Sequence, residues 1–171
     1  MTGNPARMRI RAEAPSDRKA IAQLNDRAFG GTFESELIGR LRSDGLVAAS
    51  LVAEDEGRMI GHILLSRLDV TAGKRKLNAL ALAPMAVSPE WQRQGIGSAL
   101  MRAAIEAARN AQADVIVVLG HPAFYPRFGF SAARAAKLKS PFSGEAFMVL
   151  EITPNALGDG DGNVVYPPAF G

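Results

Sequence analysis

Cysteine is absent from the 171 residues, which excludes disulfides, thiolate metal sites and a cysteine nucleophile. Histidine occurs only at His62 and His121, far apart and without metal-ligand spacing, so no metal is expected. No apolar run approaches the ~18 residues a membrane span requires. The opening Met1–Arg7 carries no apolar leader region, so a cytoplasmic protein without membrane contact is expected. Lysine and arginine number 20 against 17 acidic residues, a net charge of +3. That surplus is mild and forms no block, which argues against nucleic acid while suiting a small anionic ligand.

What is present centres on Leu77–Asn110. An apolar strand, Leu77 to Val87, leads through Ser88-Pro89-Glu90-Trp91 into Gln92-Arg93-Gln94-Gly95-Ile96-Gly97. A helix is expected from about Ser98, with Arg102, Glu106 and Arg109 on one stripe and small or apolar residues around the rest. Strand, glycine loop and helix in this order form a device for holding phosphate. Glycine lets backbone N–H groups approach an anion, and the helix start adds unpaired donors and a positive dipole end. A Walker P-loop would require Gly-Lys-Ser/Thr after four residues, and none occurs. A dinucleotide fingerprint forced onto Gly95–Leu100 places Leu100 where a small residue belongs, and no acidic residue follows to take a ribose.

The stretch resembles the coenzyme A site of the GNAT superfamily of N-acetyltransferases. That signature is Gln or Arg, two residues, Gly, any residue, then Gly or Ala, and Gln92–Gly97 meets each specified position. Pro84-Met85-Ala86-Val87-Ser88-Pro89 is similar to the family's approach to the loop, and Phe124-Tyr125-Pro126-Arg127-Phe128-Gly129-Phe130 to its second hallmark. The resemblance covers about residues 8–152 and implies acetyl-CoA as co-substrate. It implies binding by Met85, Ala86, Val87, Gln92, Arg93, Gln94, Gly95, Ile96, Gly97 and Ser98, with Tyr125 as general acid.

The remaining pattern predicts an α+β fold: a mostly antiparallel central sheet with one parallel β-α-β crossover, flanked by helices. Arg7–Glu13 alternates as a half-exposed strand. A helix starting near Pro15 carries Ile21, Leu24 and Ala28, and Gly30-Gly31 breaks it before a second helix with Leu37, Ile38 and Leu41. Thr32 is the expected cap of that helix. Strands follow at Val47–Ala53, Met59–Val70, Asp114–Leu119 and Phe147–Ile152, with a short edge strand at Val164–Tyr166. Ala132–Pro141 has no period and reads as loop with a short edge element. One domain spans 1–171, with a tail at 153–171.

The general base is less legible, since Leu77–Val87 contains no acidic residue. Glu34, near the break between the first two helices where the family forms its acceptor site, is the candidate, with Glu54 and His62 as alternatives. His121 is left without a role. Acetyl transfer to a small-molecule or peptide amine in a ternary complex is the expected activity. A non-catalytic acyl-CoA-binding module and a nucleotide-binding regulatory module are the rivals, and homodimerisation stays open.

Overall fold

The computed structural model describes residues 7–171; residues 1–6, most of the stretch read as free of a leader, lie outside it. Strand β1 (Arg9–Ala12) is followed by helices α1 (Arg18–Phe29) and α2 (Phe33–Ser43). Strands β2 (Val47–Asp55), β3 (Arg58–Ala72) and β4 (Arg75–Val87) then form an antiparallel meander. Helix α3 (Ile96–Asn110) returns the chain to β5 (Val115–Leu119), parallel to β4. A short helix α4 (Ala132–Ala135) and strands β6 (Leu138–Lys139), β7 (Phe147–Glu151) and β8 (Gly162–Val165) complete the chain. The main path through the sheet is β1-β2-β3-β4-β5-β7, antiparallel except at β4–β5. The predicted α+β architecture is the observed one, with a second parallel contact, β6 on β8, at the sheet's far edge.

Side-chain alternation decides what covers each face. Leu80 and Leu82 of β4, with Ile116 and Val118 of β5, pack against Leu100, Met101, Ala104 and Ala108 of α3. Their neighbours Ala79, Ala81, Val115 and Val117 point the other way, beneath Ala156, Leu157 and Val164 of the C-terminal segment. Strands covered on both faces read as continuous apolar runs, which is why Leu77–Val87 lacks polar alternation. Over β2 and β3 the second face is covered by Ile21, Leu37, Ile38 and Leu41 from α1 and α2, packed on Val52 and Leu64. Arg102, Glu106 and Arg109 form the exposed stripe of α3, as their spacing predicts.

Three local expectations need correction. Thr32 occupies the cap position of α2 without a side-chain capping bond; its hydroxyl donates to Glu36 Oε1 at 3.2 Å instead. Ala132–Ala135, read as loop, is a helical turn capped by Ser131, whose Oγ accepts from the Arg134 N–H at 3.1 Å. Helix α3 starts at Ile96, two residues before the expected Ser98, because Gly95 itself serves as its cap residue with φ of 85°. No helix among the described residues is long and apolar enough to cross a membrane. Among the same residues no His, Cys, Asp and Glu cluster could hold a metal ion.

Candidate active site

The site begins with an extra residue in β4. Between the pairs Ile63↔Met85 and Leu65↔Leu82, β3 advances two residues while β4 advances three. The surplus falls at Ala83–Pro84, where Pro84 has no N–H to offer a ladder. Pairing between β4 and β5 ends at Leu82↔Val118, at the same level. Beyond it the two parallel strands part, and a cleft of about 810 Å³ opens between them.

Met85 and Val87 form the strand wall of this cleft, and Gly95, Ile96, Gly97 and Ser98 form its loop wall. Gly95 adopts the left-handed conformation that favours glycine, and Arg93, also lining the cleft, has φ of 63°. Two side-chain amides brace the loop from behind. Gln92 Nε2 donates to the Val87 carbonyl and Gln94 Nε2 to the Glu90 carbonyl, both at 3.1 Å. No side chain among the described residues caps the start of α3. Its first N–H groups therefore face the cleft with the positive end of a 15-residue helix behind them. Of the residues expected here, Gln92 also lines the cleft, whereas Gln94 and Ala86 do not. Ala86 sits opposite His62 and is buried.

The opposite wall follows β5. His121, Ala123, Phe124, Tyr125 and Arg127 line it, and the His121 carbonyl accepts from the N–H groups of Phe124 and Tyr125 at 3.1 and 3.4 Å. Tyr125 is 7% exposed, its ring held edge-on by Phe124 at 5.1 Å and Phe130 at 5.6 Å. Burial pushes its phenol up to about 12. The hydroxyl has no hydrogen-bond partner among the described residues, which leaves it available at the cleft. Phe124, Arg127, His121 and Trp91 also line the cleft, beyond the residues expected from the sequence. The first two lie in the same aromatic motif as Tyr125, which was the signal available.

Among the described residues no carboxylate lines the cleft. Glu34 is half-buried in the first turn of α2 and outside the cleft lining. Glu54 is held by Arg9 and Arg11, each at 3.2 Å. His62 is wholly buried on the α1 side of β3. Asn25 Nδ2 donates to His62 Nδ1 at 3.3 Å, so Nε2 carries the proton and donates to Ser50 Oγ at 2.9 Å. Ser50 in turn donates to Glu13 at 2.7 Å, and Arg42 pairs with the same carboxylate. Burial depresses the imidazole to about 4, with Glu13 opposing and Arg42 assisting.

A sheet that parts beside an uncapped, glycine-marked helix start leaves a gap suited to a phosphate-bearing ligand. The chain belongs to the GNAT acetyltransferase family, since residues 48–132 match the model of the acetyltransferase (GNAT) domain and a curated member aligns over most of its length. That member is the uncharacterized N-acetyltransferase YhbS of Escherichia coli strain K12. It is 34% identical over 166 residues, covering 95% of this chain and 98% of the relative. The crystal structure of Escherichia coli YhbS in complex with CoA superposes with a TM-score of 0.87 at 33% identity, over 99% of this chain and 96% of that one. A GNAT family acetyltransferase from Brucella melitensis, solved with acetyl-CoA, gives a TM-score of 0.79 at 33% identity, over 96% and 98% of the two chains.

Proposed function

We propose that this protein transfers an acetyl group from acetyl-CoA to an amine by direct attack within a ternary complex, as a single domain over 1–171 acting in the cytoplasm. The observation that carries the reading is the placement of the parted strands. They open between the free N–H groups of α3 on one side and the buried phenol of Tyr125 on the other. The relatives solved with CoA and acetyl-CoA support the same cofactor.

The diphosphate is taken by the Gly95–Ser98 backbone and the helix dipole, and the pantetheine arm runs between β4 and β5. A backbone N–H freed where β4 leaves β5 polarises the thioester carbonyl. The amine attacks, the C–S bond breaks, and the electron pair leaves on sulfur. Tyr125 donates a hydrogen bond to that sulfur as charge develops. Alkyl thiols titrate near about 8.5, whereas Tyr125 lies at about 12. The phenol is thus protonated throughout the neutral range and can donate to the sulfur as the thiolate forms. With no carboxylate in the cleft, the acceptor, a small-molecule or peptide amine, arrives neutral or loses its proton to water. Glu34, outside the cleft lining, is the general base that takes this proton through water.

The test is release of free thiol from acetyl-CoA across a panel of primary amines, read against a no-acceptor blank. Amine-dependent release with acetylated product supports the reading. Tight acetyl-CoA binding without turnover on any amine would convert the protein to an acyl-CoA-binding module.

A further inference from the structure

Coenzyme A carries two separate anions, a diphosphate and a 3′-phosphate, and the cleft offers donors in two separate places. Resting on the cofactor reading above, we propose that Arg127 binds the 3′-phosphate, so that the cleft distinguishes coenzyme A from its 3′-dephospho form.

The first donor set, the start of α3, suits the diphosphate, and Arg93 stands on that same loop. Arg127 belongs to the other wall. Its guanidinium lies over the Phe124 ring, 5.0 Å from the centroid, and 5.9 Å from that of Phe128. Phe124 also reaches the loop, its Cζ only 3.9 Å from where a Cβ on Gly97 would sit. One aromatic ring thus stacks with the guanidinium and also approaches the helix start. An anion seated on the α3 N–H groups leaves the guanidinium free for a second one.

Arg127 is prepared for that role. Its Nε–H donates to the Phe124 carbonyl at 3.5 Å, and its terminal nitrogens have no acceptor among the described residues. Stacking on two rings limits the orientations of the side chain, so less freedom is lost on binding. Among the described residues no carboxylate in the lining competes for it. A phosphate monoester brings about −1.5 to −2 charges at neutral pH and three terminal oxygens, which match the guanidinium fork.

Calorimetric titration with coenzyme A and with 3′-dephospho-coenzyme A tests the assignment. The wild-type protein should bind coenzyme A more tightly by roughly tenfold, the effect of one charge-assisted pair. Arg127→Gln should bring the ratio near one by weakening coenzyme A alone, and Arg127→Lys should give an intermediate ratio. A wild-type ratio of one, or equal losses for both ligands in Arg127→Gln, overturns the inference while leaving the cofactor reading intact. A second arm needs no variant. Added sodium chloride should weaken coenzyme A more steeply than the dephospho form, and parallel slopes overturn the inference. Binding of neither compound to the wild type would overturn the cofactor reading itself, and this inference with it.

Discussion

The ring of Tyr125 lies directly on the backbone of Gly120. A methyl group at position 120 would collide with Tyr125 Cε2 and stand 3.0 Å from Cδ2 and 3.1 Å from Cζ. Gly120 follows β5, and its N–H donates to the Ala146 carbonyl at 2.9 Å, so the backbone there is pinned to the loop before β7. The glycine is therefore a seat for the phenol.

Gly120→Ala should push the Tyr125 ring out of position, because the pinned backbone cannot yield as easily as the ring. A displacement near one ångström at a reacting group can cost on the order of a hundredfold in rate. Turnover should fall by that order while coenzyme A affinity changes by less than about tenfold. Steady-state kinetics and calorimetry on one preparation check this. Full turnover in Gly120→Ala would show that the phenol's position does not matter.

The His62 chain predicts acid lability of a particular form. In the folded protein the imidazole is depressed to about 4, against 6.5 for the free side chain. The unfolded state therefore binds the proton first as pH falls. The stabilisation is complete above 6.5 and is lost progressively between 6.5 and 4. Its full size is about 3 kcal/mol by linkage. His62→Gln should flatten the decline in unfolding free energy across this window relative to wild type, as read by urea titration at several pH values. Parallel pH profiles would remove the imidazole as the cause.

Sequence showed the site's frame better than its furnishings. The glycine loop, the strand before it and the aromatic motif are contiguous runs, and local chemistry alone marks each of them. Gly95 and Pro84 carry conformational meaning wherever they occur, so the loop and the departure from the ladder were legible. Arg127 was not, because its part depends on stacking with Phe124 and on where the fold sets that ring beside the loop. His62 looks like a candidate base in the sequence because an isolated histidine in a strand gives no hint of its partners. Asn25, Ser50 and Arg42 come from three different elements and Glu13 from the link after β1, and they meet only in the fold. The pairing of β6 with β8 joins segments too short to show a period.

Gly97→Val tests the cradle. A Cβ at this position would meet Met85, Val87 and Phe124 at 3.8–3.9 Å, ordinary contact, so the fold can accept a first methyl group. The two further methyl groups of valine project into the space the diphosphate requires. Coenzyme A affinity should drop by roughly tenfold or more, with the thermal midpoint of the unliganded protein little changed. The stabilising effect of coenzyme A on that midpoint should shrink in parallel, since a ligand that binds only the folded state acts by mass action. Unchanged affinity in folded Gly97→Val protein would place the diphosphate elsewhere.

Tyr125→Phe separates the phenol's chemistry from its packing. The ring contacts with Phe124, Phe130 and Gly120 survive the change, and the hydroxyl has no protein partner among the described residues to leave stranded. Stability and coenzyme A affinity should therefore stay close to wild type. What is lost is a donor to the sulfur as the C–S bond breaks, a stabilisation greater in the transition state than in the ground state. Turnover should fall by roughly 10²–10⁴ where chemistry limits the rate. The raised phenol adds a pH signature. Because it titrates at about 12, the donor persists through the alkaline range, and wild-type turnover should show no loss attributable to Tyr125 below roughly pH 10. An acyl donor with a less basic leaving thiolate should narrow the gap between the two proteins, since that sulfur depends less on a hydrogen bond. A gap that stays constant across donors, or wild-type turnover in the variant, would return Tyr125 to the part of a packing aromatic.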